Sequence, residues 1–171
     1  APVASLYYRK WAETVTECEA AATAAGERGL RVFLSPAYRS GGMVLEAPGR
    51  IEPVFDEARG LDGLRDAIGF IERNHGGFDG LINGLLTPDR IETCTLPLLE
   101  RTMAAAADLD CRVRIHMAQG QLERDTMQRL HKMSAPQWLA KHNLLSERLY
   151  APHATHASSC DLDLYAEHGV S

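Results

Sequence analysis

Apolar positions along this chain switch repeatedly between a spacing of three or four and short continuous runs. Leu6, Tyr7, Trp11, Val15 and Cys18 recur at near-helical spacing through residues 5 to 25, which predicts a long amphipathic helix closed by Gly26 and Gly29. LRVFLS at 30 to 35 is an almost unbroken apolar run ending before Pro36, the signature of a strand covered on both faces. The following AYRSGGMVLEAPGRIEP reads as a long Gly- and Pro-rich loop, of the length usually reserved for lids and binding loops. Leu64, Ile68 and Ile71 then restore helical periodicity from Leu61 to about His75, where Gly76 and Gly77 stop it.

The alternation continues. FDGLINGLL at 78 to 86 predicts a strand and its end, TPDRIETCT a loop, and Leu96 to Leu109 a helix with Thr95 as cap and Pro97 in its first turn. CRVRIHM at 111 to 117 is the third strand, followed by a charged helix from Gln121 to Lys132 and a short one begun by Ser134, Pro136 and Gln137 as a capping box. RLYAPH at 148 to 153 is the fourth strand, a helix from about Ser159 to His168 ends at Gly169, and Val170 and Ser171 look like the start of a fifth strand. Strands alternating with helices argue for an α/β fold with a parallel sheet. Four strands do not close a barrel, and an eight-stranded (β/α)8 barrel takes about 250 residues, so the chain supplies roughly half of one. The competing architecture, a small open flavodoxin-like sheet, lacks its phosphate-cradling glycine loop, because Gly41 and Gly42 do not have the G-x-G-x-x-G spacing and do not open a helix.

Composition narrows the function class. The 171 residues suit one domain with no internal boundary, and 45% hydrophobic with 24% charged residues is the balance of a globular chain. No apolar stretch approaches the roughly 18 residues that cross a bilayer, so no membrane partner is expected. APVASLYYRKWAE carries no secretory h-region and begins without Met, which points to a processed or truncated start. A net charge of -5 with interspersed signs argues against nucleic acid, and the acidic CDLDLYAE reads as a solvated helix face. Cys18, Cys94, Cys111 and Cys160 form no C-x-x-C pair; all four read as small buried hydrophobes in a reducing, cytoplasmic setting.

Candidate chemistry concentrates on two histidines. His116 and His153 each sit at the end of a predicted strand, and in alternating strand-helix folds the C-terminal strand ends converge on the site of chemistry. Imidazole is the commonest protein ligand for divalent metals, so the pair is a candidate metal site. Two ligands are fewer than the three a catalytic zinc normally takes. Two nitrogens bound at about 2.0 to 2.1 Å to one ion should lie roughly 3 to 3.5 Å apart, whereas more than about 8 Å would exclude a shared ion. His75, His131, His142 and His168 fall near predicted helix C-termini and read as structural. Trp11 and Trp138 read as core or interface.

RVFLSPAYRSGG, LLTPDRIETCTLPLLERTMAAA, VRIHMAQG and RLYAPHATHASSCDLDLYAEHGVS, in that order and spacing, resemble the metal-dependent amidohydrolase superfamily. The similar branch holds cytosine/guanine deaminases, adenosylhomocysteine deaminases and triazine chlorohydrolases. The resemblance covers nearly the whole chain and implies roughly strands 3 to 6 of a (β/α)8 barrel with flanking helices. It implies a divalent metal, zinc or alternatively iron, with His116 as the strand 5 ligand and His153 as the strand 6 histidine. The family's H-x-H and its strand 8 Asp have no counterpart in this sequence.

Two departures bear on chemistry. Where deaminases of this branch read H-x-x-E, the fourth position here is Gln119, which orients water or a ring nitrogen by hydrogen bonds but cannot titrate. Where many relatives carry a substrate-facing histidine after strand 4, this chain has Asp89 in Pro88-Asp89-Arg90-Ile91-Glu92-Thr93, giving a pocket of different polarity. The resemblance thus implies a hydrolase of non-peptide carbon-nitrogen bonds in a cyclic amidine or heteroaromatic ring. Gln119 and His153 would act in catalysis, and Asp89, Arg90, Thr93 and His156 would bind the small heterocyclic substrate. The alternative is a catalytically incomplete barrel fragment serving as a structural or oligomerising piece, since an open half-barrel needs another copy or the missing segments to cover its strand edges.

Overall fold

The computed structural model describes residues 3–6, 13–47 and 50–171. Its frame is a run of parallel strands with helices between them. β1 (Val3–Leu6) pairs with β2 (Val32–Tyr38), and β2 pairs with β5 (Ile82–Gly84) and, further along, with β6 (Thr87–Pro88). Parallel bridges Leu86 to Val113 and Arg90 to His116 carry the order to β7 (Val113–Arg114), which pairs in parallel with β8 (Leu149–Tyr150). Beyond β8 the ladder takes one more step, because Ala151 N–H donates to Ser171 O at 2.7 Å and Ser171 N–H to Leu149 O at 3.1 Å. The fold is α/β, and among the described residues the strands do not close into a barrel.

Three expectations about the strands give way. Leu6 belongs to β1, not to a helix beginning at residue 5, and helix α1 runs Thr14–Glu27; Tyr7 and Trp11 lie outside the described residues. Strand β2 does not stop before Pro36 but runs through it to Tyr38. Proline's missing donor is tolerated because the neighbouring ladder is itself interrupted there: β5 ends opposite Leu34, β6 begins opposite Ala37, and the Pro36 carbonyl accepts from Thr87 Oγ1 at 3.0 Å. The expected Gly- and Pro-rich loop is an antiparallel hairpin, β3 (Gly41–Ala47) with β4 (Arg50–Phe55), kinked by a register shift between Leu45 and Ala47. Apolar residues flanking Pro48-Gly49 were the available hairpin signal.

The helices follow their capping chemistry. α2 (Glu57–Asn74) starts four residues earlier than its periodicity suggests, because Asp56 Oδ1 accepts from Arg59 N–H at 3.1 Å as N-cap. A one-turn segment, α3 (Gly77–Gly80), contains left-handed Phe78 and Asp79 and leads into β5. α4 (Leu96–Asp108) has Pro97 in its first turn, but Thr95 does not cap it; that hydroxyl instead meets Glu57 and Ser40, tying α4 to α2 and the hairpin root. α5 (Gln121–His131), α6 (Ala135–Lys141) and α7 (Ser159–His168) complete the chain, and α6 has the expected capping box from Ser134 and Gln137.

The core lies between sheet and helices, with Tyr38, Phe70, Leu86, Leu98, Ile115, Met117 and Met127 almost wholly buried. Trp138 packs in it, and His131 stacks on its indole with centroids 4.2 Å apart. His75 and His142 are helix C-caps, and His131 and His168 are the last residues of their helices, as their positions suggested. Cys18, Cys94 and Cys111 are buried free thiols; Cys160, near the start of α7, is exposed and so corrects the expectation for that cysteine. No helix among the described residues is long and apolar enough to cross a membrane.

Candidate functional site

The C-terminal ends of β6, β7 and β8 stop in adjacent rungs. His116 N–H donates to Asp89 O at 3.2 Å and Ile91 N–H to His116 O at 3.1 Å, while Met117 forms a parallel bridge with His153. This backbone stitching places the two rings side by side, with His116 Nδ1 2.8 Å from His153 Nε2, centroids 4.9 Å apart and planes inclined by 22°. A hydrogen bond spans that distance, and it is a few tenths of an ångström less than two nitrogens on one shared ion require. Strain collects here. Ala118, His153 and Ala154 all have left-handed φ, at 51°, 91° and 52°, although none is glycine.

The electrostatics are those of buried charge. Burial, reinforced by Arg114 and then by the His153 ring, pushes the His116 imidazole down to about 4, so it is neutral at pH 7 with a lone pair to offer. Asp89 is only 4% exposed and forms an ion pair with Arg39, Nη1 to Oδ2 2.7 Å. Glu92 is equally buried and forms an ion pair with Arg90, Nε to Oε1 3.3 Å, while its Oε2 has no hydrogen-bond partner among the described residues. Burial raises its carboxyl, and Arg90 only partly offsets that. Glu123 sits in the first turn of α5 and accepts Ala118 N–H at 2.7 Å and Gln119 N–H at 2.8 Å; burial still pushes it up to about 7.

A cleft of about 450 Å³ opens over this end of the sheet, lined by Arg39, Asp89, Arg90, His116, Gln119 and His153. Five of these six were singled out from the sequence. Thr93 is not at the cleft wall: it is buried in the 3-10 turn Ile91–Thr93 and its hydroxyl donates to Arg90 O at 2.8 Å. His156 does not line the cleft either, but its N–H donates to Ala118 O at 2.8 Å and so joins the loop after β8 to the loop after β7. Arg39 and Glu123 escaped the sequence reading. Arg39 stands at the end of a strand that appeared to end earlier, and Glu123 looks like any first-turn acid. No group of three or more His, Cys, Asp or Glu among the described residues is arranged to hold a metal ion.

No family model matches the chain. A 5'-deoxyadenosine deaminase of Methanothermobacter thermautotrophicus is 30% identical over 107 residues, which is 63% of this chain and 25% of that protein. A 5-methylthioadenosine/S-adenosylhomocysteine deaminase of Archaeoglobus fulgidus is 25% identical over 161 residues, 94% of this chain and 36% of the relative. The chain thus spans about a quarter to a third of the length of these curated relatives. Among solved structures, an atrazine chlorohydrolase variant of Arthrobacter aurescens, complexed with zinc and atraton, superposes with a TM-score of 0.80 over 99% of this chain and 37% of its own, at 20% identity. At that identity the likeness is one of fold. Deaminases among the relatives and triazine hydrolases, adenosine deaminase and amidohydrolase among the structural neighbours are the amidohydrolase superfamily that the sequence motifs resemble.

Proposed function

We propose that this chain forms roughly strands 3 to 6 of a (β/α)8 barrel and carries part of the metal site of a hydrolase acting on carbon-nitrogen bonds of a heteroaromatic or cyclic amidine ring. The observation that carries this reading is the 2.8 Å approach of His116 Nδ1 to His153 Nε2 over the ends of neighbouring parallel strands. The donor chemistry fits: His116 is held neutral, and both imidazoles line the cleft with those two nitrogens adjacent. The donor number is half of what a tetrahedral catalytic ion takes, so further ligands would come from outside the described residues. A bound Zn²⁺, with Fe²⁺ as the alternative, would supply a water acidified toward neutrality for attack on an electrophilic ring carbon.

The other lining residues do the work of binding and orientation. Gln119 is exposed at the cleft and offers both a donor and an acceptor to a ring nitrogen, but it holds no proton to give to a departing amine. The Arg39–Asp89 pair and Arg90 make a strongly polar wall against which ring heteroatoms can be hydrogen-bonded. Because Gln119 has no proton to give, the site suits leaving groups that depart as anions, as halide does.

Cobalt(II) and zinc titrations of the purified chain test the site. Wild type is expected to take up one ion, and His116→Ala or His153→Ala should weaken it at least about 100-fold, the upper end of what loss of an outer hydrogen-bond partner costs. His156→Ala should leave affinity within a few-fold. Metal uptake indifferent to both His116 and His153 would overturn the assignment. Ammonia and chloride release from 5'-deoxyadenosine and a chlorotriazine then separate deamination from dehalogenation.

A further inference from the structure

We infer that Glu123 is a positioning residue that fixes the backbone of Ala118 and Gln119 and thereby aims His116 at His153. The inference rests on the proposed metal site for its importance, but not for its geometry. Glu123 is 6% exposed, and its two carboxylate oxygens are each taken up by one backbone N–H of the segment immediately after His116. Those two amides point the same way because Ala118 adopts a left-handed φ of 51°, a conformation that costs an alanine free energy and needs an outside hold. A carboxylate facing two adjacent N–H groups is that hold.

The same segment is gripped from two other sides. His156 N–H donates to Ala118 O at 2.8 Å from the loop that carries His153, and His116 N–H donates to Asp89 O at 3.2 Å from the end of β6. The two peptide groups flanking the Ala118 Cα are therefore held on opposite sides, its N–H by Glu123 and its O by the loop bearing the other imidazole. Release the Glu123 end and Ala118 can relax to right-handed backbone, which turns its carbonyl away from His156 and loosens the register between the two histidine-bearing loops. A capping-box acid takes the one N–H of its own N-cap, as Asp161 takes that of Ser158, whereas Glu123 reaches past its N-cap Gly120 to the two N–H groups of Ala118 and Gln119.

Glu123→Gln and Glu123→Ala test this, with Met127→Ala as a fold-weakened control from the same buried helix face. Glutamine keeps one accepting oxygen and should lose one of the two bonds; alanine should lose both. Amide proton shifts of Ala118 and Gln119 should move upfield in that order, and the nuclear Overhauser contact between the His116 and His153 rings in metal-free protein should fall at least about two-fold in Glu123→Ala. Cobalt affinity should drop about 10- to 100-fold in Glu123→Ala and less in Glu123→Gln, the range for partners behind a ligand. Met127→Ala should leave ring contact and affinity unchanged although it melts earlier. A folded Glu123→Ala protein with wild-type ring contact overturns the inference. Wild type that binds no metal, with ring contact still lost in Glu123→Ala, sinks the metal site alone.

Discussion

The two ends of the parallel strands treat charge in opposite ways. At the N-terminal ends, Arg148 before β8 meets Asp110 before β7 at 3.0 Å with the aspartate 90% exposed, and Arg31 before β2 donates to the Gly80 carbonyl at 2.9 Å as an exposed contact. At the C-terminal ends, Asp89, Glu92 and Glu123 are 4%, 3% and 6% exposed. Water screens the first set, so its pairs contribute little to stability. The second set costs desolvation, and such a cost persists where a site needs fixed polar groups.

The largest expected effect sharpens this contrast through pH. The Glu123 carboxyl is raised from an ordinary 4.5 to about 7, so the folded state holds its proton more tightly; that contribution is full below about pH 4.5 and is lost as pH rises through 7. His116, lowered from 6.5 to about 4, does the reverse: its contribution is full above about 6.5 and is lost as pH falls toward 4. Between about 4.5 and 6.5 the two slopes oppose each other. Urea midpoints across pH 4 to 8 should therefore show Glu123→Gln gaining stability with rising pH relative to wild type, by about 2 to 3 kcal/mol over the window, and His116→Gln losing it. Parallel curves for all three proteins would break the comparison.

Next in size is Asp89→Ala, which leaves Arg39 without its carboxylate. Because Arg39 is 35% exposed, water absorbs part of the loss, and a destabilisation of about 1 to 3 kcal/mol is expected in urea unfolding. The smallest effect belongs to the other end: Arg148→Ala should change stability by less than about 0.5 kcal/mol, and salt should remove even that. Equal losses in Asp89→Ala and Arg148→Ala would mean that burial does not separate the two ends.

How much of this was legible in the sequence follows from the range of the forces involved. Outside residues 41–55 and 77–80, the strand and helix order from Val32 onward was readable because apolar periodicity is local, and His116 and His153 were readable because each closely follows an apolar run. The β3–β4 hairpin was misjudged because Gly and Pro outweighed the apolar residues flanking Pro48-Gly49. β1 was hidden within a helix-like spacing, since four residues of strand leave little period to detect. Arg39 and Glu123 join the site only through contacts made across 50 residues and by a turn back over a left-handed alanine, neither of which a pattern of residue types encodes.

Cys160 has a practical consequence. It is the exposed member of the chain's four cysteines and lies near the start of α7, seven residues beyond His153, while the other three thiols are sequestered. A maleimide dye or nitroxide spin label can therefore be attached at that one point without engineering a cysteine-free background, which gives a reporter beside the histidine-bearing loop in the otherwise unaltered polypeptide.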